Sequence, residues 1–470
     1  MFYRLKEDWL LRGWEKLPSG AVKKLSRDVI FLPTDVYRLL QKAVNFTPST
    51  LFSDKENKIL QSLADAGILE YTETPTPLST EQRYKKYSNR YLYSVHWAIT
   101  GNCNCRCKHC YMSASTTKIG EPSLDECFSI IRQMKDAGVR TVSLTGGEAL
   151  VRRDFFEIVD ALTDAGIFIT TIMSNGLLVN EKTIDELKKR NMSPEINMSF
   201  DGIGNHDWLR GIDGAEEAVI RAFRLCKENG IPTGAEYCLH KGNIAAFPDS
   251  VKLLSDLGCK SLKVNRLSLE GEGKNIAEYA IDMEEEFETY LNYLPRFYKD
   301  DIKLSLMLSG FFLSGKNKTY SIPFDKRLGE KCENYCLCGH ARNYMYITAE
   351  GNMTPCIPMG SAESGRKRFP NIRDMKMTDA LVDSFYMKFI DTRLIKYFER
   401  NESCASCEYK THCAGGCRGR AVIEGQDLLS KDDDACAFFR QGWYKRLKDK
   451  LSEIGVKYTG DIAGEVNKSE

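Results

Sequence analysis

The sequence predicts an α/β protein with three parts: a partial barrel, a small winged-helix-like domain before it and a cysteine-rich domain after it. Three observations lead there. Between residues 92 and 267, six short apolar runs recur about 30 residues apart, with helical patterns between them. Such alternation implies parallel strands joined by right-handed crossovers. Residues 1–88 read instead as strands, then helices, then a strand. After residue 325 the periodicity weakens and cysteine and glycine take over. A chain of 470 residues is long enough for two or three domains. The expected boundaries are 1–88, 89–325 and 326–470.

In the first part, Phe2–Leu5 and Val29–Leu32 read as strands, with the turn signal Lys16-Leu-Pro-Ser-Gly20 between them. Pro33 and Thr34 open a helix whose apolar face holds Val36, Leu39, Leu40 and Ala43. A second helix carries Ile59, Leu60, Leu63 and Ala64 and stops at Gly67, and Ile68–Thr72 returns as a strand. Residues 73–88, polar and with two prolines, read as a linker.

The barrel strands are expected at Ser94–Thr100, Thr141–Thr145, Phe168–Met173, Glu195–Phe200, Gly234–Leu239 and Ser261–Leu267. Ser123-Leu-Asp-Glu126 is a capping box opening the first intervening helix, and Gly138 closes it. Six such units make a partial (β/α)6, TIM-like barrel, open on one side, with active groups at the C-terminal ends of the strands.

Composition narrows the function classes. A net charge of +1 gives no field for nucleic acid or anionic membrane. The start, Met1-Phe-Tyr-Arg-Leu-Lys-Glu-Asp, lacks the apolar run of a signal peptide, and no stretch is apolar for the length of a membrane span. A cytoplasmic protein is expected, where disulfides are disfavoured. Seventeen cysteines then need another reason, and thirteen of them fall within 103–110, 332–356 and 404–436. Grouping at short spacings argues for metal. Cys127, Cys226, Cys238 and Cys259 lie within helix or strand patterns and read as small buried hydrophobes.

Cys103, Cys107 and Cys110 follow the first barrel strand with spacing Cys-x-x-x-Cys-x-x-Cys. An iron–sulfur cubane is usually held by four thiolates. Three leave one iron open to a small molecule. Cys105 lies in the same loop, out of register. The competing reading is a zinc loop with His109 as fourth ligand, but His109 adjoins Cys110, and neighbours chelate one tetrahedral ion poorly. Gly146-Gly147-Glu148 closes the second strand, where glycines allow close backbone approach and a carboxylate can accept from an ammonium group.

With Ser174-Asn175-Gly176 after the third strand, Ser199-Phe-Asp201-Gly202 after the fourth, and Arg210-Gly beyond, these motifs resemble those of the radical S-adenosylmethionine (SAM) enzymes over residues 92–325. Ala149 stands where that family often has proline. The resemblance implies that SAM binds the open iron. Gly146, Gly147 and Glu148 would hold its amino end, Ser174 and Asn175 would lie in contact, and Ser199 would meet the ribose. Arg210 would pair with the carboxylate, and His109 would flank the adenine. It further implies reductive cleavage of SAM to a 5′-deoxyadenosyl radical that removes hydrogen from substrate.

Downstream, Cys338, Cys356, Cys404, Cys407, Cys413, Cys417 and Cys436 resemble the SPASM extension of radical SAM enzymes that modify peptides. This implies two auxiliary 4Fe–4S clusters, three in all. One would take Cys338, Cys356, Cys417 and an upstream thiol, Cys332 in preference to Cys336. The other would take Cys404, Cys407, Cys413 and Cys436. Zinc ribbons compete for such pairs. The first domain resembles, in size and element order, the peptide-recognition element of maturases of ribosomally made peptides. A leader peptide would then add to the sheet edge near Val29–Leu32. The implied function is a radical SAM peptide maturase forming a Cys thioether cross-link, with a precursor peptide and a reducing flavodoxin or ferredoxin as partners. C–C cross-linking, epimerisation and a sulfatase-type formylglycine maturase remain alternatives; for the last, an aspartate is expected after Cys356, where Ile357 stands. No residue declares itself as acid or base.

Overall fold

The computed structural model describes residues 1–114, 119–423 and 427–460. The chain opens with β1 (Phe2–Leu5), β2 (Trp9–Glu15), β3 (Leu17–Lys23) and β4 (Val29–Phe31), followed by α1 (Thr34–Ala43), α2 (Asp54–Asp65) and β5 (Leu69–Thr72). β5 returns antiparallel to β1. α2 starts at a capping box in which Ser53 and Glu56 satisfy each other's backbone N–H groups. α1 and α2 bury Tyr37, Leu40, Leu60 and Leu63 against β1 and β3 in a small core of their own.

Two expectations for this region change. The expected turn at 16–20 is only Lys16, whose φ is 67°. Leu17–Lys23 is itself a strand, antiparallel to both β2 and β4. Its Pro18 and Gly20 mimic a turn signal, but burial of Ala21 and Val22 overrides it. The expected linker also contains β6 (Lys85–Arg90), which pairs with β2. Arg12 donates to the carbonyls of Glu81 and Arg83, and Gln82 to those of Leu5 and Lys6. Such a segment is held by polar bonds, so no apolar period announces it.

The barrel follows as β7 (Ser94–Ala98), α3 (Leu124–Ala137), β8 (Thr141–Thr145), α4 (Phe155–Asp164), β9 (Phe168–Ser174), α5 (Glu181–Lys189), β10 (Glu195–Ser199), α6 (His206–Arg210), α7 (Ala215–Glu228), β11 (Thr233–Leu239), α8 (Phe247–Asp256) and β12 (Ser261–Arg266). All six expected strands are present, parallel and in sequence order. The sheet then extends past both edges. After α9 (Met283–Lys299), β13 (Ser305–Leu308) adds in parallel to β12, and β14 (Phe312–Ser314) and β15 (Thr319–Ser321) follow antiparallel. On the far side, β16 (Tyr344–Ile347) pairs in parallel with β7 and antiparallel with β17 (Met353–Thr354). Strands of four residues or fewer are too short to carry a readable alternation.

One face of the barrel strands (Val95, Trp97, Leu144, Met198, Tyr237, Val264) is buried with α3, α4, α7 and α8. The alternate residues on the other face are largely polar: His96, Ser143, Asn197, Ser199, Glu236 and Lys263. The lumen is therefore hydrophilic. Cys127, Cys226 and Cys259 are buried in the apolar core as expected. Cys238 is partly buried against Leu209, Leu267 and Ile276, and its backbone N–H donates to Asp201.

The first part is clamped to the barrel. Trp14, fully buried, stacks on Tyr87 at 5.1 Å and donates to the Ala137 carbonyl at 3.2 Å. Asn89 donates to the same carbonyl, and Arg140 to that of Lys23. Gly138, in the left-handed region at φ 78°, leaves room here; a Cβ would lie 2.6 Å from Trp14 Nε1. Trp14→Ala should therefore cost about 3–5 kcal/mol locally, read as faster amide exchange in β2, β3 and β6 than in α4 and α7.

Candidate active site and metal centres

The loop 101–113 leaves the C-terminal end of β7 carrying Cys103, Cys105, Cys107 and Cys110. Backbone bonds hold it from both sides. Arg106 and Lys108 N–H groups donate to the carbonyls of Arg210 and Leu209 at the end of α6. Gly147 and Glu148 N–H groups donate to the carbonyls of Thr100 and Asn102. Glycine is required at the contacts. A Cβ at Gly147 would lie 2.3 Å from Asn102 O, and one at Gly211 2.4 Å from Arg106 O.

Glu148, buried, accepts from the backbone N–H groups of Leu150 and Asn175 and from the Ser174 hydroxyl. Burial pushes its pKa up to about 7 against these bonds. Asn175 also donates to Asn104 at 2.7 Å and lies 3.9 Å from Cys103 Sγ. The segments after β8 and β9 thus converge on the cysteine loop, as the sequence reading expects. Ser199 ends β10 on the lumen face.

Arg210 differs in emphasis from its expected role. Its Nε donates to Asp201 Oδ2 at 2.7 Å, and its Nη1 lies 3.7 Å from Cys107 Sγ. Burial opposes both charges, but their mutual attraction prevails: Asp201 is held well below, and Arg210 well above, its usual range. A hydrogen bond from the Cys105 thiol, opposed by burial and helped by Arg210, pulls Cys107 down to about 6. Burial and Arg210 push His109 down to about 3, and its Nδ1 is buried without a partner. Sequence reasoning passed over Asp201. Its place within Ser199-Phe-Asp-Gly202 was the available signal, but the need for a buried counter-charge emerges only in three dimensions.

In the C-terminal part, burial and then the sulfurs of Cys417 and Cys338 push Cys356 well up, and Cys338 likewise feels Cys417. Burial, Asp432 and then Cys404 and Cys436 push Cys413 up to about 12; Cys436 in turn feels Cys404 and Cys407. Cys338, Cys356 and Cys417 thus influence one another, as do Cys404, Cys407, Cys413 and Cys436. Cys332 packs among Leu337, Leu394, Tyr397 and Phe398, and burial, Glu333 and Lys410 act on it. Cys336 Sγ lies 3.1 Å from Arg393 Nη1.

The residues fit the implied cofactors. The donors are soft thiols, glycines open a cradle against the loop, and His109 within it keeps a buried, unpartnered Nδ1. Among the described residues no three His, Cys, Asp or Glu side chains converge on a single ion.

Comparison with known proteins agrees. Residues 97–254 match the model of the Radical SAM superfamily, and residues 336–408 that of SPASM, an iron–sulfur cluster-binding domain. The chain carries a radical SAM domain and a SPASM domain. An AdoMet-dependent heme synthase of Methanosarcina barkeri is 25% identical over 350 residues, 72% of this chain and 94% of that protein. A PqqA peptide cyclase of Granulibacter bethesdensis is 23% identical over 371 residues, 78% and 90% respectively. Streptococcus suis SuiB, in its complex with precursor peptide SuiA, superposes with a TM-score of 0.65 at 18% identity, over 92% of this chain and all of that one. This last likeness is one of fold. No helix among the described residues is long and apolar enough to cross a membrane.

In this radical SAM enzyme, Cys107→Ala should abolish 5′-deoxyadenosine formation while the iron held by the C-terminal cysteines persists. Iron per chain and nucleoside yield, measured on one anaerobic preparation, check both halves.

Proposed function

We propose that this enzyme joins a Cys sulfur to a carbon within a ribosomally made precursor peptide, forming a thioether. Residues 1–88 serve as the leader-recognition domain, 89–325 as the catalytic barrel and 326–470 as the auxiliary-cluster domain, in a cytoplasmic protein. Three 4Fe–4S clusters belong to this reading. Cys103, Cys107 and Cys110 hold the one that binds SAM. Cys338, Cys356, Cys417 and Cys332 hold a second, and Cys404, Cys407, Cys413 and Cys436 a third. With an electron from flavodoxin or ferredoxin, SAM at the first cluster supplies the radical that takes hydrogen from substrate. Gly146, Gly147 and Glu148 receive the SAM amino group beside Ser174 and Asn175. Ser199 meets the ribose, Arg210 the carboxylate and His109 the adenine.

The observation that carries the peptide reading is the edge strand β4. It ends its sheet, with β3 on one side. Lys23 N–H donates to Asp28 O and Leu32 N–H to Ser19 O. By alternation, the backbone groups of Val29 and Phe31 point away from β3, the arrangement to which an extended peptide adds. The SuiB likeness supports the reading, because it spans 92% of the chain and that structure contains a precursor peptide. The heme synthase relationship favours a second reading, a tetrapyrrole substrate. Incubation with an iron porphyrin in place of peptide tests it.

Val29→Pro removes an outward donor and leaves the inner ladder intact. It should weaken precursor binding at least about tenfold, which is 1.4 kcal/mol, and leave SAM cleavage unchanged. Equal affinity in a fluorescence titration would end the docking idea. Geometry adds a spacing rule. β4 lies beside Tyr91 and Tyr93 at the N-terminal end of β7, whereas the cysteine loop leaves the other end. An extended peptide needs about six residues at ~3.3 Å each to cover roughly 20 Å. Precursors with a shorter spacer between leader and modified residue should bind yet stay unmodified by mass spectrometry.

A further inference from the structure

This inference rests on the thioether reading. Joining a thiol to a carbon releases a proton besides a hydrogen atom and an electron, and that proton needs an acceptor. The lumen holds a set of ionisable groups that neither the SAM-binding residues nor the cysteines use. Parallel pairing brings Ser199, Glu236 and Lys263 into register on β10, β11 and β12. Their chain neighbours Met198, Tyr237 and Val264 are buried on the opposite face. Lys263 Nζ stands 3.8 Å from Glu236 Oε1, and the two side chains are 48% and 36% exposed, open to water and substrate.

The pair is felt by groups near both cysteine-rich regions. Glu236 is close enough to add to the burial that raises Tyr111, next to Cys110, and Tyr344 on β16. Lys263 acts on His96 and on Cys356. Lys263, His96, Tyr111 and Tyr344 are thus the titratable groups around Glu236. Two orphaned atoms lie on the same lumen face. His96, 6% exposed, has its Nδ1 against the Tyr344 hydroxyl and its Nε2 buried without a partner. Asn197 Oδ1 is likewise buried and unpartnered. Buried polar atoms are rarely left so.

The other acids nearby are engaged. Glu148 accepts three hydrogen bonds, and Asp201 is bound by Arg210. Glu286 and Asp434 share Arg266. Glu195 lies at the opposite end of β10, beside Gly234.

We propose that Glu236 is the base that takes the proton of the substrate Cys thiol, with Lys263 supplying positive charge to the thiolate as it forms. The acceptor carbon loses a hydrogen atom to the radical that SAM supplies. The S–H bond breaks, and its proton moves to the Glu236 carboxylate. The new C–S bond uses one electron of the carbon radical and a sulfur pair. The surplus electron passes to an auxiliary iron–sulfur cluster, which is reduced by one. Glu236 returns its proton to water through its exposed edge.

The test uses full-length reconstituted enzyme and a cysteine-containing precursor peptide deuterated at the acceptor carbon. In Glu236→Gln, deuterium transfer into 5′-deoxyadenosine should match wild type. Thioether formation at pH 7 should fall about a hundredfold and recover toward wild type by about pH 9, where a free thiol of pKa about 8.5 ionises unaided. Glu236→Asp should retain part of the rate at pH 7. Lys263→Gln, a second route if the Gln variant misfolds, should also slow the thioether at pH 7 and recover at high pH. Wild-type thioether formation by Glu236→Gln at pH 7, or a deficit equal at both pH values, overturns the assignment. If wild type itself transfers no deuterium and makes no thioether, the peptide reading fails, and this inference with it.

Discussion

The arrangement of the active end depends on one buried ion pair. Asp201 and Arg210 have almost no contact with water. Asp201 also accepts from the Cys238 backbone, and its own N–H donates to His206. The pair therefore ties the ends of β10 and β11 to α6. Since α6 carries the carbonyls that hold Arg106 and Lys108, the same pair sets the height of the cysteine loop. Removing one partner of such a pair leaves an uncompensated charge, a cost of about 3–5 kcal/mol.

Around that pair, the two faces of the sheet divide the work. The outer face is continuous with the helical core and supplies the stability. The inner face gives up apolar burial for His96, Asn197, Glu236 and Lys263, so the lumen remains wet and charged. β16 carries this division into the C-terminal part: it pairs with β7 and sets Tyr344 against His96. Cys356 follows β17 and is therefore positioned by the same sheet as the first cysteine loop.

The first domain is held by a different kind of contact. Trp14, Tyr87 and Gly138 interlock at the end of α3, far from the cysteine loop along the barrel axis.

Much of this protein was legible in its residues. Cys103, Cys107 and Cys110 announce their chemistry because a metal demands fixed donors at fixed spacing. The same holds for the sets around Cys356 and Cys413. Helix ends at Ser123 and Gly138 are likewise local, set by capping and by a left-handed backbone. β3 and β6 were not legible, because their stability comes from distant partners such as Arg12 and from burial that turn-like residues conceal. Nor were the partnership of Asp201 with Arg210 or the facing of Glu236 and Lys263. The sequence alone determined the cysteine motifs and the order of the elements, since both follow from covalent spacing and local backbone energetics. The tertiary structure alone decided which charges meet, because strands and loops far apart in the chain become neighbours only when the sheet registers and the barrel curls.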